Sequence, residues 1–403
     1  IEAEALKAGN DVLLYPKDVP TAVSYIMKQI RRGNLSEKTI NKSCKRVLAF
    51  KYWAGLDGYS QKIEEKKQIV SNKHLKDDIN KTEYEALIQK LRTSSLVMLE
   101  NEDSILPIKN LQEIEAAGLI IGGHDKSPFL ETLDKYMKID HYIKDHRVLN
   151  QTLTERLSDY DLVIAGITDT HQSNSNYYGL KKEYYSYLDS LSNRTRVVLV
   201  HFANPYGLDL LSEHHNLDGL LVGFNDDSLT QHVAAQSLFG GNVINGKLPV
   251  SVKGRYDLNS GKITDSRTRL KYALPEAAGM SSKELAKVDS IVYSAIDSGA
   301  TPGCQVMVVK EGKVVYDKAF RYHTYLKRKQ VNWENIYDIA SLTKIFATLP
   351  ALMNYSESGK ISIDSTLSKY LPYLDTTNKG DLVLKDILTH QARLKSWIPF
   401  YQQ

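Results

Sequence analysis

Tyr337-Asp338-Ile339-Ala340-Ser341-Leu342-Thr343-Lys344-Ile345-Phe346-Ala347-Thr348-Leu349 is the stretch on which the reading of the chain turns. An extended run passes into an apolar helix that carries a Ser and a Lys three apart. That spacing puts both on one helical face, where the ammonium group reaches the hydroxyl. A helix opening also offers free backbone N–H groups and positive potential beside the oxygen that must become nucleophilic. Ser341 is therefore the candidate nucleophile and Lys344 its candidate base. The competing reading of Ser341 is a helix N-cap, a common role for serine before an apolar helix. The bare spacing recurs by chance, so the surrounding sequence decides.

Upstream, Ala300-Thr301-Pro302-Gly303 leads into Cys304–Lys310, then the turn Glu311-Gly312-Lys313 and a second apolar run, Val314-Val315-Tyr316. This pattern predicts a β-hairpin. Downstream come Gly359-Lys360-Ile361-Ser362-Ile363-Asp364, Leu367, Tyr370-Leu371-Pro372-Tyr373-Leu374 and Ile387-Leu388-Thr389-His390-Gln391. In this order the phrases resemble the front part of a class C β-lactamase-like serine hydrolase, over residues 270–403. The resemblance implies that Ser341 is acylated while Lys344 helps remove its proton, with burial beside the hydroxyl lowering the lysine pKa so that a neutral amine serves as base. The family also uses a Tyr-x-Asn or Tyr-x-Ser element and a Lys/His-Thr-Gly strand, and neither occurs here. Tyr355-Ser356-Glu357 is the nearest formal candidate, but it follows the nucleophile too soon and carries Glu in place of an amide or hydroxyl. The domain over 270–403 is expected to be incomplete. Two further departures stand out: Arg321 and Arg393 occupy turns where the family usually places Gly. Such a Gly often supplies a positive φ that Arg tolerates poorly, so strain is expected at both.

At the other end, Ala3–Ala8 reads as a helix ending at Gly9, followed by a short buried strand over Asp11-Val12-Leu13-Leu14 that stops before Pro16. Pro20 can open a helix to about Arg32, and Gly33-Asn34 breaks it. Ser36 then caps a helix whose Ile40, Cys44, Val47 and Leu48 form an apolar stripe, with Gly55 past its end. Ala8-Gly9-Asn10-Asp11-Val12-Leu13-Leu14, Gly33-Asn34-Leu35-Ser36-Glu37 and Lys51-Tyr52-Trp53-Ala54-Gly55-Leu56 resemble the last part of the (β/α)8 barrel of glycoside hydrolase family 3, particularly its β-N-acetylglucosaminidase-like members. In that family the nucleophilic Asp lies on an earlier barrel strand, so no glycosidase catalytic residue is assigned in this chain. Asp11 starts its strand, at the end of a barrel that serves stability, and is expected to be structural.

Residues 57–80 are polar and rich in Lys and Glu and are expected to be a linker. From Lys81 a helix with Leu87, Leu91 and Leu96 leads to Val97–Asn101. Strand-like runs follow at Ala117–Ile121, Leu162–Ile167, Arg196–Phe202 and Gly219–Phe224, with helices at Lys182–Leu191 and Leu229–Leu238. This alternation predicts a mostly parallel sheet with helices on its faces. The close, Gly240-Gly241-Asn242 through Lys247-Leu248-Pro249-Val250, resembles the end of the α/β sandwich domain that follows the barrel in family 3. Some members supply an acid/base Glu from this domain, but the corresponding loop, Gly166–Gly179, has none. The sandwich is expected to act as a scaffold or substrate-side wall.

With 42% hydrophobic and 25% charged residues among 403, the chain reads as soluble globular protein of two or three domains. A formal charge of +4 without a long cationic stripe excludes nucleic acid as an expected partner, and Lys327-Arg328-Lys329 reads as a solvated hairpin turn. No apolar run approaches a membrane span. Cys44 and Cys304 are expected to be buried free thiols in different domains. His214-His215 and His124-Asp125 lack further ligands at zinc-like spacing and are read as surface residues, so neither a metal nor a cofactor is expected.

The fold class expected is α/β: the end of a (β/α)8 barrel over 1–56, a linker over 57–80, an α/β sandwich over 81–256, a linker over 257–269, and the first part of a β-lactamase-like α+β domain over 270–403. Taken with the family resemblances, the chain is expected to be an internal fragment, itself inactive, of a bacterial envelope or secreted hydrolase. Its parent is expected to cleave β-linked N-acetylglucosamine from cell-wall or amino-sugar glycans, with the serine domain acting on an ester or amide in muropeptide material. The alternative from another class is a serine domain without turnover that senses lactams or peptidoglycan.

Overall fold

The apolar runs between residues 97 and 222 form strands and pair side by side. The computed structural model describes all residues except 55, 57–74, 124–125, 146–147, 213 and 403. Most of the expected 57–80 linker, together with Gly55 and the pair His124-Asp125, lies outside the described residues; Leu75–Ile79 is a short helix. By compactness the chain divides into two units, Ile1–Ala286 with Val308–Val315, and Lys287–Met307 with Tyr316–Gln403.

In the first unit the strands are β1 (Val97–Asn101), β2 (Ala116–Ile121), β3 (Asp140–Lys144), β4 (Leu162–Ile167), β5 (Arg196–His201) and β6 (Gly219–Val222). They form one sheet in the order β1-β6-β5-β4-β2-β3. Only β1 runs antiparallel to its neighbour, pairing Val97 with Val222. The rest are parallel, with Ile121 opposite both Lys144 and Ile167, and Ile167 opposite His201. The sheet is mostly parallel, as the alternation of runs implied.

Every residue of β2 and β4 is buried, which is what a parallel sheet covered on both faces demands of its strands. Successive side chains alternate between two cores. One holds Leu119, Ile121, Val163, Ala165 and Leu199 with Tyr185 and Leu188 of the Lys182–Ser192 helix. The other holds Ile120, Ile164, Val198 and Val200 with Phe129 and Leu133 of the Pro128–Leu133 helix and Val233 and Leu238 of the Ser228–Leu238 helix. Phe129 meets Phe202 edge-on at 5.3 Å between ring centroids. Side-chain caps start three of the covering helices: Ser127 Oγ accepts from Leu130 N, Asn150 Oδ1 from Leu153 N, and Asp227 Oδ1 from Thr230 N.

Several expectations need correction. Edge strand β3 carries no continuous apolar run and its sequence pattern gave no signal. Asp11–Leu14 forms no strand; Val12 and Leu14 are 64% and 82% exposed, and a strand without a paired neighbour has no ladder to hold it. The helices Val19–Arg31 and Glu37–Trp53 form where the Pro20 and Ser36 signals placed them, and Ser36 Oγ accepts from Lys38 N at 3.2 Å. The stripe on the second is not a buried one, however: Cys44 and Leu48 are exposed while Ser43 is buried. In the Thr82–Ser95 helix the short Ala86 is the inward residue, and Leu87 and Leu91 are exposed. Asp11 forms a two-pronged ion pair with Arg46, and the hydrogen bonds from Arg46 and then Ser43 hold its carboxyl down at about 2. Residues 257–269 lie against the sheet: Lys262 N donates to Met98 O at 2.6 Å, and Arg269 Nη1 donates to Ile108 O and Phe239 O at 2.7 and 2.8 Å.

A separate three-stranded sheet, in the order β7-β9-β8, is made of β7 (Lys271–Tyr272), β8 (Gly303–Lys310) and β9 (Lys313–Arg321), the last two forming the expected hairpin. In the second unit, Tyr293 of the Lys287–Asp297 helix packs edge-on against Phe320 at 5.5 Å, and Asp289 accepts from both Tyr316 OH and Lys318 Nζ. Gly303 is obligatory here, because a Cβ would overlap Phe320 O and the Tyr322 backbone. Cys304 is half-buried and free. The turn at Lys327-Arg328-Lys329 is exposed.

Candidate active site

Ser341 sits where an irregular segment winds into a helix. Ala340–Leu342 make a 3-10 turn, Lys344–Thr348 a π-helical turn, and Leu349–Glu357 an α-helix. A π-turn widens the helix by one residue and is frequent at functional sites. Ala340, immediately before Ser341, has φ of 42°, a left-handed conformation that costs a residue with a Cβ about 1–2 kcal/mol. Asp338 Oδ1 accepts from Ala340 N at 2.7 Å and so pins this residue from its own side chain. The strain lies one position before the serine.

The structure brings the two sequence-derived site residues together: Lys344 Nζ lies 2.9 Å from Ser341 Oγ, in donating geometry. Ser341 does not cap either turn, since neither begins with a side-chain cap bond. The N-cap reading is thereby removed. One expectation is corrected: Ser341 and Lys344 are both exposed, as are the residues around them from Ser341 to Leu349, so the expected burial beside the hydroxyl is not found. The apolar neighbours Ile345 and Phe346 are 56% and 69% exposed. The arrangement can transfer the serine proton to a neutral lysine over one hydrogen bond.

Arg321 and Arg393, the residues that stand at the usual glycine turns, have φ of 57° and 55°. The expected left-handed geometry is present at both. Arg321 offsets part of its strain by placing its guanidinium 5.2 Å from the Tyr293 ring centroid.

A second concavity, of about 230 Å³, lies in the first unit at the carboxyl ends of β2 and β4, where the chain order of the parallel strands reverses. Ligands in open α/β sheets favour such switch points. Gly122, Gly123, Thr168, Asp169 and Asp226 line it. Thr168 Oγ1 is buried there without a hydrogen-bond partner among the described residues. Gly122 has φ of 93° and no room for a Cβ against Thr168 O. Sequence reading missed this cleft; the Gly-Gly pair directly after a buried strand was the available signal. The Gly166–Gly179 loop adds no Glu, and Asp226 Oδ2 is taken by Thr170 N at 3.0 Å. His215 is half-buried rather than at the surface, and burial lowers its pKa. No group of three or more potential metal ligands occurs among the described residues. No helix among them is long and apolar enough to cross a membrane.

Residues 288–402 match the family model Beta-lactamase. The chain is 33% identical over 140 residues to N-acetylmuramyl-L-alanine amidase of Bacillus subtilis (strain 168), covering 31% of this chain and 31% of that protein. Among solved structures it resembles Beta-glucoside phosphorylase BglX, with TM-score 0.39 and 19% identity over 62% of this chain and 46% of that one. It also resembles a glycoside hydrolase family 3 β-N-acetylglucosaminidase from Paenibacillus sp. str. FPU-7, with TM-score 0.32 and 13% identity over 62% of this chain and 47% of that one. Likenesses this low carry no functional argument, and the chain spans about a third of its curated relative. Residues 288–402, with Ser341 and Lys344 inside them, form a segment that matches the β-lactamase family.

Proposed function

We propose that the serine unit is an acyl hydrolase in which Ser341 is the nucleophile and Lys344 its base. The 2.9 Å Lys344–Ser341 hydrogen bond carries this reading. Ser341 Oγ adds to the carbonyl carbon of an ester or amide while its proton passes to a neutral Lys344 Nζ. Collapse of the tetrahedral intermediate breaks the bond to the leaving group, which takes that proton and leaves an acyl-serine; water then hydrolyses the acyl-serine and restores Ser341. The match to the β-lactamase family supports a hydrolase in general.

For the whole protein we infer a fusion with a glycoside hydrolase of family 3, on the sequence phrases at 1–56 and 240–250. Its substrate would be β-linked N-acetylglucosamine in cell-wall or amino-sugar glycans, cleaved by a retaining two-carboxylate mechanism. A cell-wall substrate is in keeping with the name of the Bacillus relative, an N-acetylmuramyl-L-alanine amidase, and would place the protein in the cell envelope or outside it. Arg321 and Arg393, in left-handed backbone at turns where the family usually places Gly, favour a second reading for the serine unit, a lactam or peptidoglycan sensor that acylates without release.

Kinetics on a nitrophenyl ester with the protein as its source organism makes it separates the two. A burst followed by steady turnover is expected, with Ser341→Ala and Lys344→Ala falling to the same floor, about a thousandfold or more below the parent. Stoichiometric labelling with no further product would establish the sensor instead.

A further inference from the structure

We propose that a cavity in the first unit, beside the Thr82–Ser95 helix, binds a small phosphate-bearing anion, held by Lys271 and Lys313. The cavity measures about 420 Å³, and its polar lining includes Gln89, Gln236, Asn242, Lys90, Lys271 and Lys313. It shares no lining residue with the cleft at the end of β2.

The geometry starts from backbone pairing. Strand β7 runs parallel to β9 with Lys271 directly opposite Lys313. Partners at one register position share a face of the sheet, and like charges placed so repel. Lys313 has neutralising contacts, since its Nζ lies 2.9 Å from Ala277 O and 3.1 Å from Glu311 Oε2. Among the described residues no carboxylate forms an ion pair with Lys271, which is half-buried. Arg267 adds a third cation, its Nη2 donating to Glu311 O at 3.3 Å. Burial first, then the charges of Lys313 and Arg267, hold the Lys271 amine below the ordinary lysine value.

The acids nearby do not fill the gap. Glu83 is exposed on the helix at the cavity wall. Burial pushes the Glu276 carboxyl up, but Ser282 N and Oγ donate to it at 2.7 and 2.8 Å and outweigh that, so the carboxylate is already engaged. The amide groups are held in place: Gln236, 2% exposed, accepts from Tyr272 N at 2.8 Å, and Gln89 Nε2 donates to Tyr272 O at 3.2 Å. Two lysines at one register position lining one cavity without full compensation, fixed amides and an open volume suit an oxyanion of more than one negative charge, for which lysine acts as a point charge. Binding would relieve the repulsion that the strand register imposes.

Inorganic phosphate is the probe, titrated calorimetrically into the protein as its source organism makes it, at constant ionic strength set with potassium chloride. Saturable binding is expected, weakened about tenfold or more in Lys271→Met and kept within about threefold in Lys271→Arg. The melting temperature should rise with phosphate in the parent more than in Lys271→Met, the difference removing the general salting effect common to both. Should Lys271→Met not fold, Lys271→Gln takes its place, and the saturability of the parent decides if neither folds. An unsaturable response in the parent, or equal affinity in Lys271→Met, would overturn the site.

Discussion

Ile164 in the centre of the sheet and Phe346 beside the catalytic lysine candidate are both large apolar side chains, yet Ile164 has no exposed surface and Phe346 is 69% exposed. The contrast holds across their regions. Both hydrophobic cores are built wholly from residues between 96 and 252. Beyond residue 287 the buried apolar side chains are Val292, Val314, Val315, Tyr316, Phe320 and Val331, while Ile336, Met353, Trp397 and Tyr401 stand 58–97% exposed. The sheet is held by contacts far apart in sequence. The Ser341–Lys344 pair needs none of them, because three residues of helix suffice to bring its two atoms together.

The largest expected effect breaks or confirms this contrast directly. Ile164→Ala should cost about 2–5 kcal/mol by opening a cavity in a two-sided core, whereas Phe346→Ala should stay within about 0.5 kcal/mol. Urea unfolding of the two variants, resolved into separate transitions if the units melt apart, measures both. A comparable loss for Phe346→Ala would show that its ring is packed in solution and that the contrast is not real.

A second test uses a buried titratable group of the sheet. His201 has no exposed surface; its Nε2 donates to Asn204 O at 3.0 Å and its Nδ1 accepts from Tyr185 OH at 3.0 Å. Burial depresses its pKa from 6.5 to about 4, outweighing the hydrogen bond to Asn204. The fold therefore favours the neutral ring. Its stability is fully present above the unfolded value of 6.5 and falls as pH drops from there toward 4, by about 3 kcal/mol over the window. Unfolding free energies measured between pH 8 and about 4 should show this slope in the parent and a flatter one in His201→Gln. An unchanged slope in the variant would place the acid sensitivity elsewhere.

The sheet was readable because fully buried parallel strands are continuous apolar runs: Leu162–Ile167 was delimited to the residue, and β2, β5 and β6 to within one or two. Strand β3, Asp-His-Tyr-Ile-Lys, was unreadable for the converse reason, as an edge strand half in water. Asp11–Leu14 misled because the three apolar residues Val12-Leu13-Leu14 do not reveal whether a partner strand exists. The stripe Ile40-Cys44-Val47-Leu48 misled in the same way, since periodicity gives a face but not what covers it. At the site, the Ser–Lys reach was local and therefore legible, whereas the exposure of Lys344 depends on packing that no local pattern encodes. Arg321 and Arg393 were legible through the residue expected in their place.

The smallest effect sharpens the comparison from the side of the second unit. Arg393→Gly should stabilise it by about 1 kcal/mol by relieving a left-handed backbone. Arg321→Gly should gain less, because it also loses the contact with the Tyr293 ring at 5.2 Å. Thermal unfolding of each variant reads the difference, and destabilisation by Arg393→Gly would mean that the arginine makes a contact worth more than its strain.

Covalent labelling with a fluorophosphonate, followed by digestion and mass spectrometry of the protein as its source organism makes it, bears on the nucleophile itself. The expected result is a single phosphonylated peptide carrying Ser341, absent in Ser341→Ala and slowed strongly in Lys344→Ala. Label on any other residue, or label that persists in Ser341→Ala, would contradict the assignment of Ser341 as the reacting serine.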